Sequence, residues 1–221
     1  MKKFKNIITV ILFVFAGVQV SLAQKVDPEY VKVTNERAQK IVDHMSLNNS
    51  EKELEVRDLI ANQYRELNNI HETRDSKIHK IKVANYNKAK TTKIIDKIKS
   101  KADKKIKKLH DSYLKKLNKV LTDEQVDQVK DGMTYGVLPK TYTAFLEMIP
   151  SLTVEEKEYI YNNLKEAREF AMDGGSSKEK HAWFGKYKGR INNYLSAQGY
   201  DLEKERDGWY ERIEAKKKAN H

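Results

Sequence analysis

The sequence predicts an all-α protein: a long helical hairpin followed by a compact bundle of shorter helices. Three observations point there. Neither glycine nor proline occurs between Pro28 and Gly132, a run of 103 residues rich in Lys, Glu, Ala, Leu and Ile. Such a run favours helix by propensity alone. Its apolar residues recur at steps of three and four, the helical period. Helix-start signatures, a Ser, Thr or Asn with Glu or Gln three residues on, also recur along the chain. Cysteine is absent, so helix packing must hold the fold, without disulfides or Cys-ligated metal.

The chain opens with Lys2, Lys3 and Lys5. An apolar stretch from Ile7 to Val20 follows, and Ser21 and Ala23 place small residues at −3 and −1. These are the zones of a secretory signal peptide, expected to be cleaved after Ala23. The apolar run is about 14 residues, short of the roughly 20 that a spanning helix needs. The expectation is an exported protein, periplasmic or extracellular, with no transmembrane segment after cleavage. Removing residues 1–23 from the 221 leaves 198, enough for one domain or two small ones.

The first helix is expected from about Glu29 to Met45. The second starts at Asn48, with Glu51 at the capping-box position, and carries Leu54, Leu59, Ile60, Tyr64 and Leu67. The third carries Ile95, Ile98, Ala102, Ile106, Leu109, Tyr113, Leu117 and Val120. One unbroken helix from Asn48 to Leu121 would be about 110 Å long. A hairpin is more economical, because each apolar stripe needs a cover. Its turn is expected between His71 and Thr92, where Asn, Thr and Asp crowd together.

Beyond Leu121 the helices shorten. Thr122 with Gln125 caps one, and Leu121 and Val126 form a hydrophobic staple. Gly132 to Pro139 reads as a turn-rich connection, before a short helix stopped by Pro150. Thr153 with Glu156 opens a helix that Gly174-Gly175 ends. Ser176 with Glu179 opens the next, through Leu195, and Asp201 starts the last. The regions are therefore a signal peptide at 1–23, a basic helical hairpin at 24–121 and a helical C-terminal region at 122–221. The last two are compatible with one continuous domain.

Charge is segregated. Arg74 to Lys119 holds 17 Lys and Arg against four Asp, a net of +13 on a chain whose total is +11. A basic arm on a body of opposite balance suggests an anionic partner: an envelope polyanion, an acidic polysaccharide or an acidic client protein. Nucleic acid is not expected for an exported protein. A solvated helix face that keeps the protein soluble explains the same charges. A homodimer is compatible with the sequence.

The densest set of function-capable side chains runs from Arg168 to Tyr194. Phe184, Tyr187, Ile191, Tyr194 and Leu195 form a core stripe there, while Lys186, Arg190 and Asn193 share another face. Together with Arg168, His181 and Trp183, these three residues are the candidate ligand-binding set. Cations beside aromatic planes suit an acidic sugar, whose ring stacks while guanidinium groups pair with its carboxylate. Core aromatics with solvated cations are the plain packing alternative. Gly185 and Gly189 leave one helix face nearly bare, which suits close approach of a neighbouring helix or, alternatively, a ligand that fills the space. No catalytic residue is assigned. His44, His71, His79, His110 and His181 show no metal-binding spacing, and no glycine-rich phosphate loop occurs, so no metal and no cofactor are expected. Ser176 and Ser177 near His181 are explained by capping.

Leu121-Thr122-Asp123-Glu124-Gln125 follows a Lys-rich helix, and Leu47-Asn48-Asn49-Ser50-Glu51 is a degenerate copy. The pair resembles the L-T-x-x-Q motifs of the periplasmic Spy/CpxP-type chaperones. That resemblance implies a thin helical cradle, dimeric, with a basic concave face. The stretches Lys130–Gly136, Ala167–Asp173, Lys186–Leu195 and Gly199–Leu202 are similar to the exported family catalogued as domain of unknown function 3826. This second resemblance spans most of the mature chain and implies a fold and a compartment, with no catalytic residues to carry over. Two functions are therefore expected to compete. One is a non-catalytic helical binding protein, chaperone-like or polyanion-binding. The other is a protein that binds or processes acidic polysaccharide with a site in 168–194.

Overall fold

A computed structural model describes residues 27–84 and 86–219; the expected signal peptide lies outside them. Every regular element among the described residues is an α-helix: α1 (Pro28–Val42), α2 (Ser50–Val83), α3 (Lys88–Val120), α4 (Asp123–Met133), α5 (Val137–Met148), α6 (Val154–Met172), α7 (Ser177–Ala197) and α8 (Leu202–Ala219). None of the eight is long and apolar enough to cross a membrane.

Local chemistry accounts for the boundaries. Asp27 accepts a hydrogen bond from the Glu29 amide, and Pro28 fills the first turn of α1, where its missing N–H costs nothing. α1 stops at Val42, short of the expected Met45, because Ser46 and Asn48 take left-handed backbone (φ 50° and 55°) to reverse the chain. With Asn48 used in the turn, the cap of α2 moves to Asn49, which accepts from the Lys52 amide, and the Asn48–Glu51 box does not form. The hairpin turns between α2 and α3, inside the expected interval, and Asn87 caps α3 by accepting from the Lys90 amide.

Thr122 with Gln125 and Thr153 with Glu156 form full reciprocal capping boxes on α4 and α6. The expected connection from Gly132 to Pro139 is much shorter. Gly132 lies inside α4 because α1 crosses directly over it: a Cβ there would sit 2.7 Å from Ile41 Cγ2. The reversal is confined to Thr134–Gly136, with Tyr135 and Gly136 both left-handed (φ 62° and 63°). Pro139 falls in the first turn of α5, where helical amides have no intrahelical acceptor.

Two cores result. Ala38, Val42, Ile60, Leu117, Val129 and Met133 belong to the first, under α1, α2, the base of α3, and α4. Phe145, Ile160, Leu164, Phe184, Ile191 and Leu195 belong to the second, among α5, α6 and α7. Met172, the last residue of α6, enters the first core, so α6 spans both. α8 buries no residue and leans on the end of α5, where Arg212 donates to the Glu147 and Met148 carbonyls at 2.9 and 3.0 Å. At the other extreme, no described residue from 72 to 101 is buried, so the distal hairpin projects as a bare two-helix arm.

Candidate binding clefts beside the α6–α7 connection

The short connection from Asp173 to Ser176 is where the two cores meet, and the side chains that lock it there are mostly charged. Arg168 is 1 % exposed. Its guanidinium reaches Asp131 at 2.8 Å and Asp127 at 2.5 Å, two carboxylates one turn apart on α4. Burial pushes the Asp131 carboxyl above its usual value, and the hydrogen bond from Arg168 opposes this. Lys130 donates to both oxygens of Glu169 at 2.9 Å. His110 of α3 places Nδ1 2.8 Å from Asp173 Oδ2, and His71 Nε2 meets the Asp173 carbonyl at 2.8 Å. The His71 ring lies so close under Gly175 that a Cβ there would sit 2.6 Å from its Cγ, so this position requires glycine.

Lys180 is the most unusual of these groups. Only 6 % exposed, it donates from Nζ to the carbonyls of Met133 (2.9 Å) and Met172 (3.5 Å), the last residues of α4 and α6. A cation at two converging helix C-termini satisfies orphan carbonyls and meets the negative ends of both dipoles. Burial nonetheless pushes the amine down to about 8.

A cleft opens on each side of the connection. The one toward α1, about 860 Å³, is lined by Arg37, Lys40, Lys140 and Lys180 together with Tyr30, Tyr64 and Tyr135. Asp131 is the single carboxylate among its described lining residues, and that group is already bonded to Arg168. Among the described residues none of the four cations forms an ion pair; Lys140 and Lys180 donate to backbone carbonyls instead. The cleft toward α3, about 770 Å³, is of mixed charge: Arg74, Lys107 and Lys186 face Asp103, Glu169, Asp173 and Glu179. Its floor is apolar, with Phe170 and Trp183 stacked at 4.6 Å and Lys186 Nζ 5.1 Å from the Trp183 ring.

Of the six residues singled out from sequence, Trp183 and Lys186 share the α3-side cleft. The other four line neither cleft. Arg168 is buried against α4. His181 bonds back to the Ser177 carbonyl at 2.7 Å and stacks on Tyr135. Arg190 lies over the Tyr187 ring and reaches Asn163 and Glu166 of α6. Asn193 is exposed farther along α7. The bare face at Gly185 and Gly189 has nothing within 4 Å of either position among the described residues, so the expected close approach of a helix does not occur there. Sequence reasoning missed Arg37, Lys40, Tyr64, Lys140 and Lys180. Nothing local separates Lys180 from its neighbour Lys178; only packing turns one inward. Among the described residues no three of His, Asp and Glu stand together as a metal site.

The family model described as protein of unknown function (DUF3826) matches residues 31–215, from within α1 to near the end of α8. No curated protein matches the chain.

Proposed function

We propose that this chain, which belongs to the DUF3826 family, is an exported, non-catalytic binding protein that seats a carboxylated saccharide in its α1-side cleft. One observation carries the reading: four cations line a cleft whose only carboxylate among the described residues is already taken by Arg168. An anion entering there gains charge-assisted hydrogen bonds, each worth about 1.5–3 kcal/mol. The rings of Tyr30, Tyr64 and Tyr135 offer apolar planes for the faces of a sugar. Export is supported by the basic, apolar and small-residue zones of residues 1–23.

Titration calorimetry with acidic and neutral oligosaccharides tests this. Oligogalacturonate is expected to bind and its neutral counterpart is not. Arg37→Gln combined with Lys40→Gln is expected to weaken binding about tenfold or more. Both residues are exposed on α1, so their replacement leaves the cores intact. Equal affinity for both sugars, or an unaffected double variant, would overturn the reading.

A second reading, processing of acidic polysaccharide, is favoured by the α3-side cleft. There the Phe170–Trp183 platform stands beside His110 and its partner Asp173. Release of new reducing ends from polygalacturonate, abolished by His110→Asn with binding retained, would support it. Absence of any product under conditions of saturation counts against it.

A further inference from the structure

The far end of the α2–α3 hairpin takes no part in either cleft. Among the described residues the last ion pair from α2 to the body is the one between Arg74 and Glu179 at 3.2 Å. Beyond it α2 runs on to Val83, about 14 Å further. At the apex Val83 and Tyr86 are 68 % and 42 % exposed, and Val83 is the most exposed bulky apolar side chain among the described residues. They lie in a stretch rich in lysine. Residues 76–95 hold Lys77, Lys80, Lys82, Lys88, Lys90 and Lys93 with no Asp or Glu, and Asp75 and Asp96 flank the stretch on either side. Lys90 Nζ sits 4.2 Å from the centroid of the Tyr86 ring. None of the six lysines forms an ion pair among the described residues.

We propose that this apex docks end-on onto an anionic lipid surface, with Val83 and Tyr86 entering the headgroup region and the surrounding lysines pairing with lipid phosphates. A second copy of the chain fits poorly, since two unneutralised lysine clusters repel. A soluble acidic polymer would satisfy the lysines and leave the apolar apex in water. An anionic leaflet satisfies both: apolar side chains reach the acyl boundary, tyrosine sits at the interface, and lysines lie at the level of the phosphates. The projection of the arm leaves both clefts clear of the surface. The inference does not depend on what the α1-side cleft binds.

Because the chain has no cysteine, Val83→Cys supplies a unique thiol for an environment-sensitive fluorophore. Lys188→Cys, exposed on α7, is the control. Both full-length chains carry the same apolar N-terminal stretch, so partitioning driven by that stretch cannot distinguish them. With vesicles of phosphatidylcholine and phosphatidylglycerol, the label at 83 is expected to shift to the blue and the label at 188 is not. Vesicles of phosphatidylcholine alone are expected to leave both unshifted. Adding Lys88→Gln and Lys90→Gln should weaken partitioning about thirtyfold, from the contribution of each lysine at a charged surface. Arg37→Gln with Lys40→Gln should leave the vesicle response intact, so failure of the cleft reading and failure of this one are separable. No shift at 83 with anionic vesicles, an equal shift with neutral ones, or tighter binding to soluble polygalacturonate than to vesicles would overturn the proposal.

Discussion

His110 Nδ1 stands 2.8 Å from Asp173 Oδ2, so a histidine of the hairpin and an aspartate at the end of α6, 63 residues apart, clamp the two cores together. Glu169 Oε2 lies 3.7 Å from the other ring nitrogen, and Lys130 approaches the same carboxylate. The hydrogen bond to Asp173 raises the imidazole above its usual value, against desolvation and the charge of Lys130.

A folded-state value above the unfolded one means that this clamp contributes fully below about pH 6.5 and is lost as pH rises through the folded value. The melting temperature is therefore expected to fall between pH 6 and pH 8. His110→Asn should flatten that slope. An unchanged slope in the variant would show that the pair does not couple to folding.

Lys180 titrates with the opposite sense. Its folded value is lowered to about 8 by burial, so the folded state disfavours the ammonium. Stability should rise as pH increases from about 8 toward 9, before tyrosine ionisation becomes appreciable. Melting curves of the wild type and Lys180→Met over that window check this. The rise should vanish in the variant.

Gly132 and Gly189 are both helical, and alanine should act on them in opposite directions. At Gly132 a Cβ would meet three atoms of Ile41 at 2.7–3.2 Å. The β-branched side chain cannot yield easily, so overpacking of about 1–3 kcal/mol outweighs the roughly 1 kcal/mol of helix propensity gained. Gly132→Ala is expected to lower stability, with partial recovery on Ile41→Ala. Gly189 has nothing within 4 Å, so Gly189→Ala should stabilise by about 0.5–1 kcal/mol. Chemical denaturation of both variants measures the contrast.

Arg168 and Arg190 separate a structural cation from a surface one. Arg168→Leu leaves Asp127 and Asp131 without their buried partner and should cost about 3–5 kcal/mol. Arg190 and Glu166 are each about half exposed at 3.4 Å, and Arg190→Leu should cost less than about 1 kcal/mol. Equal losses in urea melts would contradict the assignment of Arg168 to the core.

Eight helices, the two reciprocal capping boxes, the hairpin and its load of lysine were legible in the sequence. Each depends on residues within a few positions of one another: Thr122 on Gln125, Thr153 on Glu156, and an unbroken run on the absence of Gly and Pro. One exception was local, the left-handed turn at Ser46 and Asn48 that moved the cap of α2 to Asn49; another came from a distant element, when Ile41 drew Gly132 into a helix that sequence alone would have ended. The clefts belong to the tertiary structure. Arg37, Tyr64, Lys140 and Lys180 come from four different helices and the first and last lie 143 positions apart. No local pattern distinguishes a lysine that will be buried at two helix ends from one that stays in water. That distinction is made only when the cores close and the carbonyls of Met133 and Met172 arrive at the same point in space.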